Sequence, residues 1–129
     1  MVNNLEKHEQ NSKTEHYEQK YIDLASKRIG GSVIDCNNQW FAKCSNLIKN
    51  GRGVTKEDYF TDNGKWMDGW ETRRSYKRTW RANTKKNYDW CVLRLGVQGT
   101  IRGLNIDTNN FHGNAPECVS VEATNSEGN

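Results

Sequence analysis

The sequence predicts a mainly β fold, a sandwich of short strands with one or two short helices near the N-terminus. Three observations carry that reading. The second half of the chain alternates apolar and polar residues with period two. The gaps between these segments hold glycine, asparagine and the single proline, Pro116, which are turn-forming residues. Those gaps are too short for crossover helices, so antiparallel pairing is the natural outcome. At 129 residues the chain suits one domain, and no internal repeat divides it.

In chain order, residues 1–16 (MVNNLEKHEQNSKTEH) lack apolar periodicity and cannot offset the entropy of being ordered. They read as a flexible polar tail ahead of a domain over 17–124, with 125–129 a flexible end. Residues 17–29 (YEQKYIDLASKRI) place Tyr17, Tyr21, Leu24 and Arg28 on one helical face, and Gly30-Gly31 supplies the stop. SVIDC, residues 32–36, is a brief strand. Residues 39–51 (QWFAKCSNLIKNG) put Trp40, Phe41, Cys44, Leu47 and Ile48 at helical spacing, with the aromatics assigned to the core. Three strands follow: DWCVLRLG (89–96), IRGLNIDT (101–108) and ECVSVEAT (117–124).

No run approaches the roughly 18 to 20 apolar residues of a membrane span, and the polar N-terminus is unlike a secretory signal. A soluble, cytoplasmic protein with no membrane partner is expected. Cys36, Cys44, Cys91 and Cys118 form no CxxC pair, and two of the three histidines fall in the tail. Neither a metal site nor any other cofactor is expected, and the thiols are read as reduced and mostly buried.

Charge is unevenly placed. Residues 65–86 carry eight bases and two acids, whereas the net charge of the whole chain is +3. All of the positive excess therefore lies in one segment, which points to an anionic partner. Within it, bases alternate with Tyr76 and Trp80 over SYKRTWRANTKK, as phosphates and stacked bases would require. No nucleic-acid motif frames the 73–86 block, so binding there is a minor alternative and a nucleic-acid partner is not expected.

The same segment begins with GKWMDGWETRR, Gly64 to Arg74. If it runs extended from a turn at Asp68-Gly69, Glu71 and Arg73 share one face and Trp70, Thr72 and Arg74 the other. On a helix, Glu71 and Arg74 would be neighbours instead. Either geometry sets a carboxylate beside a guanidinium. Such a pair can clamp a substrate carboxylate and move a proton, with tryptophan excluding water. The competing reading is a surface ion pair beside a core tryptophan. Asp89-Trp90 fits a turn at a strand start. Arg102 and Asp107, five positions apart, face opposite ways on an ideal strand unless Gly103 opens a bulge. His112 fits a solvated turn.

In this order, GKWMDGWETRR, YDWCVLRLG, IRGLNIDT and FHGN, followed by a proline-containing turn and VSVEA, resemble the signature segments of the allantoicase family. The resemblance covers about residues 20 to 123 and implies a galactose-binding-like jelly roll. It also implies hydrolysis of allantoate, a small anion, to ureidoglycolate and urea in purine degradation. On that resemblance Glu71, Asp68 and Asp89 are the candidate catalytic residues, with Glu71 first for proton work if burial raises its pKa. Arg73, Arg74, Lys65, Trp70, Arg102, Asp107 and Asn114 are the candidate substrate-binding residues. The family pattern has histidine where Tyr88 stands and threonine where His112 stands. Its members carry two related repeats, of which this chain resembles the first, so a homo-oligomer is expected to complete the site. The alternative is a non-catalytic galactose-binding-like module.

Overall fold

A computed structural model describes residues 20–74 and 88–125. The tail at 1–16 and most of the basic block lie outside the described residues, as do all but one of the residues at 125–129. The regular elements are mostly strands, in agreement with a mainly β chain. They are β1 (Ser32–Cys36), β2 (Phe60–Thr61), β3 (Gly64–Lys65) and β4 (Cys91–Arg94), with short 3-10 helices at Lys27–Ile29 and Cys44–Ile48.

β1 and β4 pair antiparallel, matching Ser32 with Arg94, Val33 with Leu93, Asp35 with Val92 and Cys36 with Cys91, with a bulge between Val33 and Asp35. Both strands fall where apolar, β-forming residues are densest, as the sequence predicts. β2 and β3 form a small hairpin over Asp62-Asn63, which local alternation did not indicate. A single bridge joins Ala42 to Glu71.

Over the described residues the helical segments at 21–29 and 39–51 are shorter than their periodicity suggests, and side-chain competition explains why. In the segment starting at 17, described from Lys20 onward, Asp23 Oδ1 accepts from the Ala25 amide at 3.1 Å. Ser26 Oγ accepts from the Arg28 amide at 3.2 Å. Lys20 is helical; beyond it such short polar side chains offer the backbone an alternative to helix, and among residues 21–31 the 3-10 turn Lys27–Ile29 is what forms. The expected stop is found: Gly30 takes φ 99°, which favours glycine. Over 39–51, the Phe41 and Ala42 amides donate to Glu71 O at 3.2 and 3.1 Å, committing those residues to the bridge. Gln39 Oε1 accepts from the Cys44 amide at 3.1 Å, and a 3-10 helix starts only there.

The second helix supplies most of the core. Cys44 and Ile48 are buried, together with Ala42 just ahead of them. Trp40, Phe41 and Leu47, placed in the core by their spacing, are exposed instead. Burying a side chain the size of isoleucine is worth about 2 kcal/mol or more, so Ile48 is the main apolar anchor. At the other end, Gly96 packs against the Ile29 and Gly31 backbones so closely that a Cβ would collide with both. The Gly96 amide donates to Leu24 O at 2.9 Å. That contact ties the end of β4 to the first 3-10 turn.

The strands expected at 101–108 and 117–124 are absent from these described residues. Leu104, Ile106, Val119 and Val121 are all exposed. Alternation supplies two faces but no hydrogen-bonded neighbour, and cross-strand pairs are what stabilise a sheet. A turn does form where asparagines cluster, with the Asn109 amide on Asp107 Oδ1 at 2.9 Å and the Phe111 amide on Thr108 O at 3.0 Å.

Candidate functional site

Four other parts of the chain hold the stretch Asp68 to Arg73. At its start the Asp68 carboxylate is fully engaged. Oδ1 meets Lys49 Nζ at 2.7 Å, and Oδ2 accepts from the Val54 amide at 2.9 Å. Burial pushes its pKa up, but the Lys49 and Val54 hydrogen bonds and the charges of Lys49 and Lys56 outweigh that and hold it below the usual carboxylate range. Asp68 is therefore a fixed anion that pins the loop at 49–54.

Gly69 follows because nothing larger fits. Its Cα faces the Phe111 ring, which a Cβ would strike. Its carbonyl accepts from Asn46 Nδ2 at 2.9 Å. This brings the 108–111 turn against the second 3-10 helix, with Trp70 next in line. The half-buried Trp70 indole donates through Nε1 to Asn38 O at 2.7 Å.

Glu71 is the bridge residue, with its amide on Ala42 O at 3.2 Å. Its carboxylate is half-buried, and Oε1 accepts from Asn114 Nδ2 at 3.0 Å. Desolvation raises its pKa against the opposing hydrogen bond from Asn114. The direction is the one proton transfer near neutral pH requires. The expected ion pair of Glu71 with Arg73 or Arg74 is not formed. Among the described residues the ion pairs are Lys49–Asp68 and Arg52–Asp107, the latter at 3.8 Å. The bridge to Ala42 directs the backbone, and Asn114 meets the carboxylate from the other side.

Thr72 Oγ1 donates to Asp89 Oδ2 at 2.9 Å, and Asp89 Oδ1 accepts from Asn37 Nδ2 at 2.8 Å. Asn37 Oδ1 in turn accepts from the Trp90 amide at 2.8 Å. Asp89 thus links Thr72 to the entry of β4 and the exit of β1.

Arg73 closes the stretch. Its amide donates to Asn38 Oδ1 at 3.1 Å, and its guanidinium lies 4.3 Å from the centre of the Trp40 ring. Stacking on an indole face holds a cation in place without consuming its hydrogen-bond donors. Asn38, Gln39, Trp40 and Arg73 line an open groove of about 420 Å³, a size that suits a small ligand. Arg74 is exposed beside it.

Of the ten sequence candidates, Trp70 and Arg73 meet at Asn38, Asp89 joins Asn37 and Thr72, and Glu71 is bonded to Asn114. Asp68 is paired with Lys49. Lys65 lies exposed on β3, Arg102 is exposed, and Asp107 is turned toward Arg52 and its own turn. Asn37, Asn38 and Gln39 escaped the sequence reading, which placed Trp40 in the core. The available signal was NNQW itself, since Asn38 Oδ1 also accepts from the Trp40 amide at 3.0 Å, an Asx turn that asparagine is prone to make.

Residues 22–129 match the family model described as the allantoicase repeat. An allantoicase of Dictyostelium discoideum is 43% identical over 107 residues, covering 83% of this chain and 27% of that protein. A probable allantoicase of Photobacterium profundum is 47% identical over 105 residues, covering 81% of this chain and 29% of that one. A crystal structure of allantoicase from Saccharomyces cerevisiae aligns with 59% of this chain and 19% of its own at 30% identity and TM-score 0.43. The chain thus spans less than a third of the length of the curated relatives it matches.

Proposed function

The chain belongs to the allantoicase family, and we propose on that premise that it hydrolyses allantoate to ureidoglycolate and urea. The observation that carries the proposal is the Arg73 guanidinium stacked over Trp40 in an open groove, two residues along the chain from Glu71, a half-buried carboxylate whose pKa is raised. Allantoate has one carboxylate and two ureido groups on a single carbon. Arg73, with its guanidinium donors uncommitted to Trp40, binds the carboxylate through two parallel hydrogen bonds. Arg74 sits next to it as a second cation. Trp40 and Trp70 border the ligand and limit its exposure to water.

Cleavage of the carbon–nitrogen bond requires a proton for the departing urea nitrogen and removal of a proton from water or from the substrate. Glu71 does this proton work, with burial raising its pKa. Asn114 orients the carboxyl group and offers its carbonyl oxygen to a ureido N–H. Asp89 holds Thr72 and accepts from the ureido side, while Asp68 fixes the loop that carries them. Lys65, Arg102 and Asp107 add charge at the rim.

The groove is open, and a copy of the same fold facing it supplies the remaining wall, so the working form is a homo-oligomer of jelly-roll domains in the cytoplasm. Among the described residues no helix is long and apolar enough to cross a membrane.

Incubation with allantoate followed by assay of urea and ureidoglycolate tests the proposal. Glu71→Gln is expected to lower the rate about 10²- to 10⁴-fold. Equal product from wild type and Glu71→Gln overturns the role of Glu71. Allantoate binding without product from either leaves a non-catalytic binding module.

A further inference from the structure

Three of the four cysteines, distant in sequence, come near one another at the end of the β1–β4 ribbon. Cys36 ends β1, Cys91 begins β4, and the two are directly opposed across the antiparallel pair. Cys44, fully buried at the start of the second 3-10 helix, lies close enough to both for them to raise its pKa. Cys118 is exposed elsewhere, and all four are free thiols.

The register around the opposed pair decides what it can do. The next residue along, Asn37, donates its amide to Trp90 O at 3.1 Å. The Cys36 amide is turned to Asp35 Oδ1 at 2.8 Å. Cys36 and Cys91 therefore occupy a non-hydrogen-bonded position of the ladder, where opposed Cα atoms lie about 4.5 Å apart and side chains are closest. That spacing falls at the short end of the range a disulfide spans. Both side chains lie on the same face of the ribbon, the face that also meets Cys44.

We propose that Cys36 and Cys91 are a peroxide-oxidisable pair that closes to a cross-strand disulfide, leaving Cys44 reduced beneath it. Burial, followed by the proximity of Cys91 and Cys36, raises the Cys44 pKa to about 12. Full burial keeps Cys44 away from peroxide, whereas Cys36 and Cys91 are partly exposed; burial raises the Cys91 pKa too, so Cys91 serves as the resolving thiol. The Cys36 thiolate attacks one peroxide oxygen, the O–O bond breaks, and the departing hydroxide leaves as water after taking a proton. The Cys91 thiolate then attacks the resulting sulfenic sulfur, the S–S bond forms, and a second water departs. Two thiols and one hydrogen peroxide give one disulfide and two waters.

The bond would lie one residue from Asn37 and two from Asp89, the residues that hold Thr72 and Trp90. Oxidation therefore fastens β1 to β4 beside Asn37 and Asp89. The proposal does not depend on the substrate assignment.

The test treats the whole chain with hydrogen peroxide, alkylates the remaining thiols after unfolding, and maps disulfides by mass spectrometry without reduction. A Cys36–Cys91 link, with Cys44 and Cys118 alkylated, is expected. Amide hydrogen exchange at Asn37 and Trp90 should slow at least several-fold on oxidation, and Cys91→Ser should abolish both effects. Intramolecular links through Cys44, links through Cys118 alone, or no link in protein that circular dichroism shows to be folded would each overturn the proposal.

Discussion

Residues 68–73 and residues 101–124 carry equally regular sequence signals, yet the structure treats them in opposite ways. The first stretch is held from outside by Lys49, Asn46, Asn38, Ala42, Asn114 and Asp89, partners between 17 and 43 positions away. The second has textured apolar alternation but exposed side chains, and the strands it suggests are missing. Its contacts with the first stretch come through Asn114 on Glu71 and Phe111 on Gly69. Long-range polar anchors, not alternation, are what fix the groove.

Substitutions can break or sharpen that contrast. The largest effect on stability is expected at Ile48, the apolar anchor behind the bridge. Ile48→Ala should cost about 2 to 4 kcal/mol in urea unfolding, and a cost below 1 kcal/mol would mean that the buried cluster does not support the site. Trp70→Phe removes the hydrogen bond to Asn38 O while keeping an aromatic ring. It should cost about 1 kcal/mol and weaken ligand binding, because Asn38 also positions Arg73. At the other extreme, Leu104→Ser and Val121→Thr should change stability by no more than about 0.5 kcal/mol, as exposed positions do. A loss there as large as at Ile48 would show that the 101–124 face is covered in solution.

Acid sharpens the comparison between Asp68 and Glu71. The folded pKa of Asp68 is lowered, so its contribution to stability is present above the unfolded value of 3.8 and is lost as pH falls through the lower folded value. Asp68→Asn should therefore be less stable than wild type at pH 7, and the gap should close on acidification below about pH 4. Glu71 has the opposite sign. Its folded pKa is raised, so ionisation penalises the fold as pH rises from the unfolded value of 4.5 through the folded one. Glu71→Gln should remove that penalty, and its stability relative to wild type should improve across that interval. Parallel pH profiles for the two variants would contradict the assigned environments.

Much of this was legible in the sequence, for reasons that are local. Dense β-branched residues and a Gly-Gly stop mark β1, β4 and the end of the first 3-10 turn. The Asp68-Gly69 turn and the WETRR run mark the stretch that borders the candidate groove, and burial raises the pKa of Glu71. What was missed depends on partners far away in the chain. Trp40 was assigned to the core on helical spacing, but the Glu71 bridge takes the amides of Phe41 and Ala42 and leaves Trp40 exposed under Arg73. Asn37 and Asn38 look like turn residues, and nothing local reveals that they join Asp89, Trp90, Trp70 and Arg73. The ion pair expected of Glu71 gave way to Asn114, which comes from the far end of the domain. The alternation at 101–108 and 117–124 could not say whether a neighbouring strand was there to pair with.

The most direct test of the groove as an anion site is calorimetric titration of wild type and Arg73→Ala with allantoate. Removing a charge-assisted clamp should weaken binding at least tenfold. Saturable binding by wild type with that loss in Arg73→Ala is the predicted result; equal affinity in the two proteins, or no binding by wild type, would contradict it.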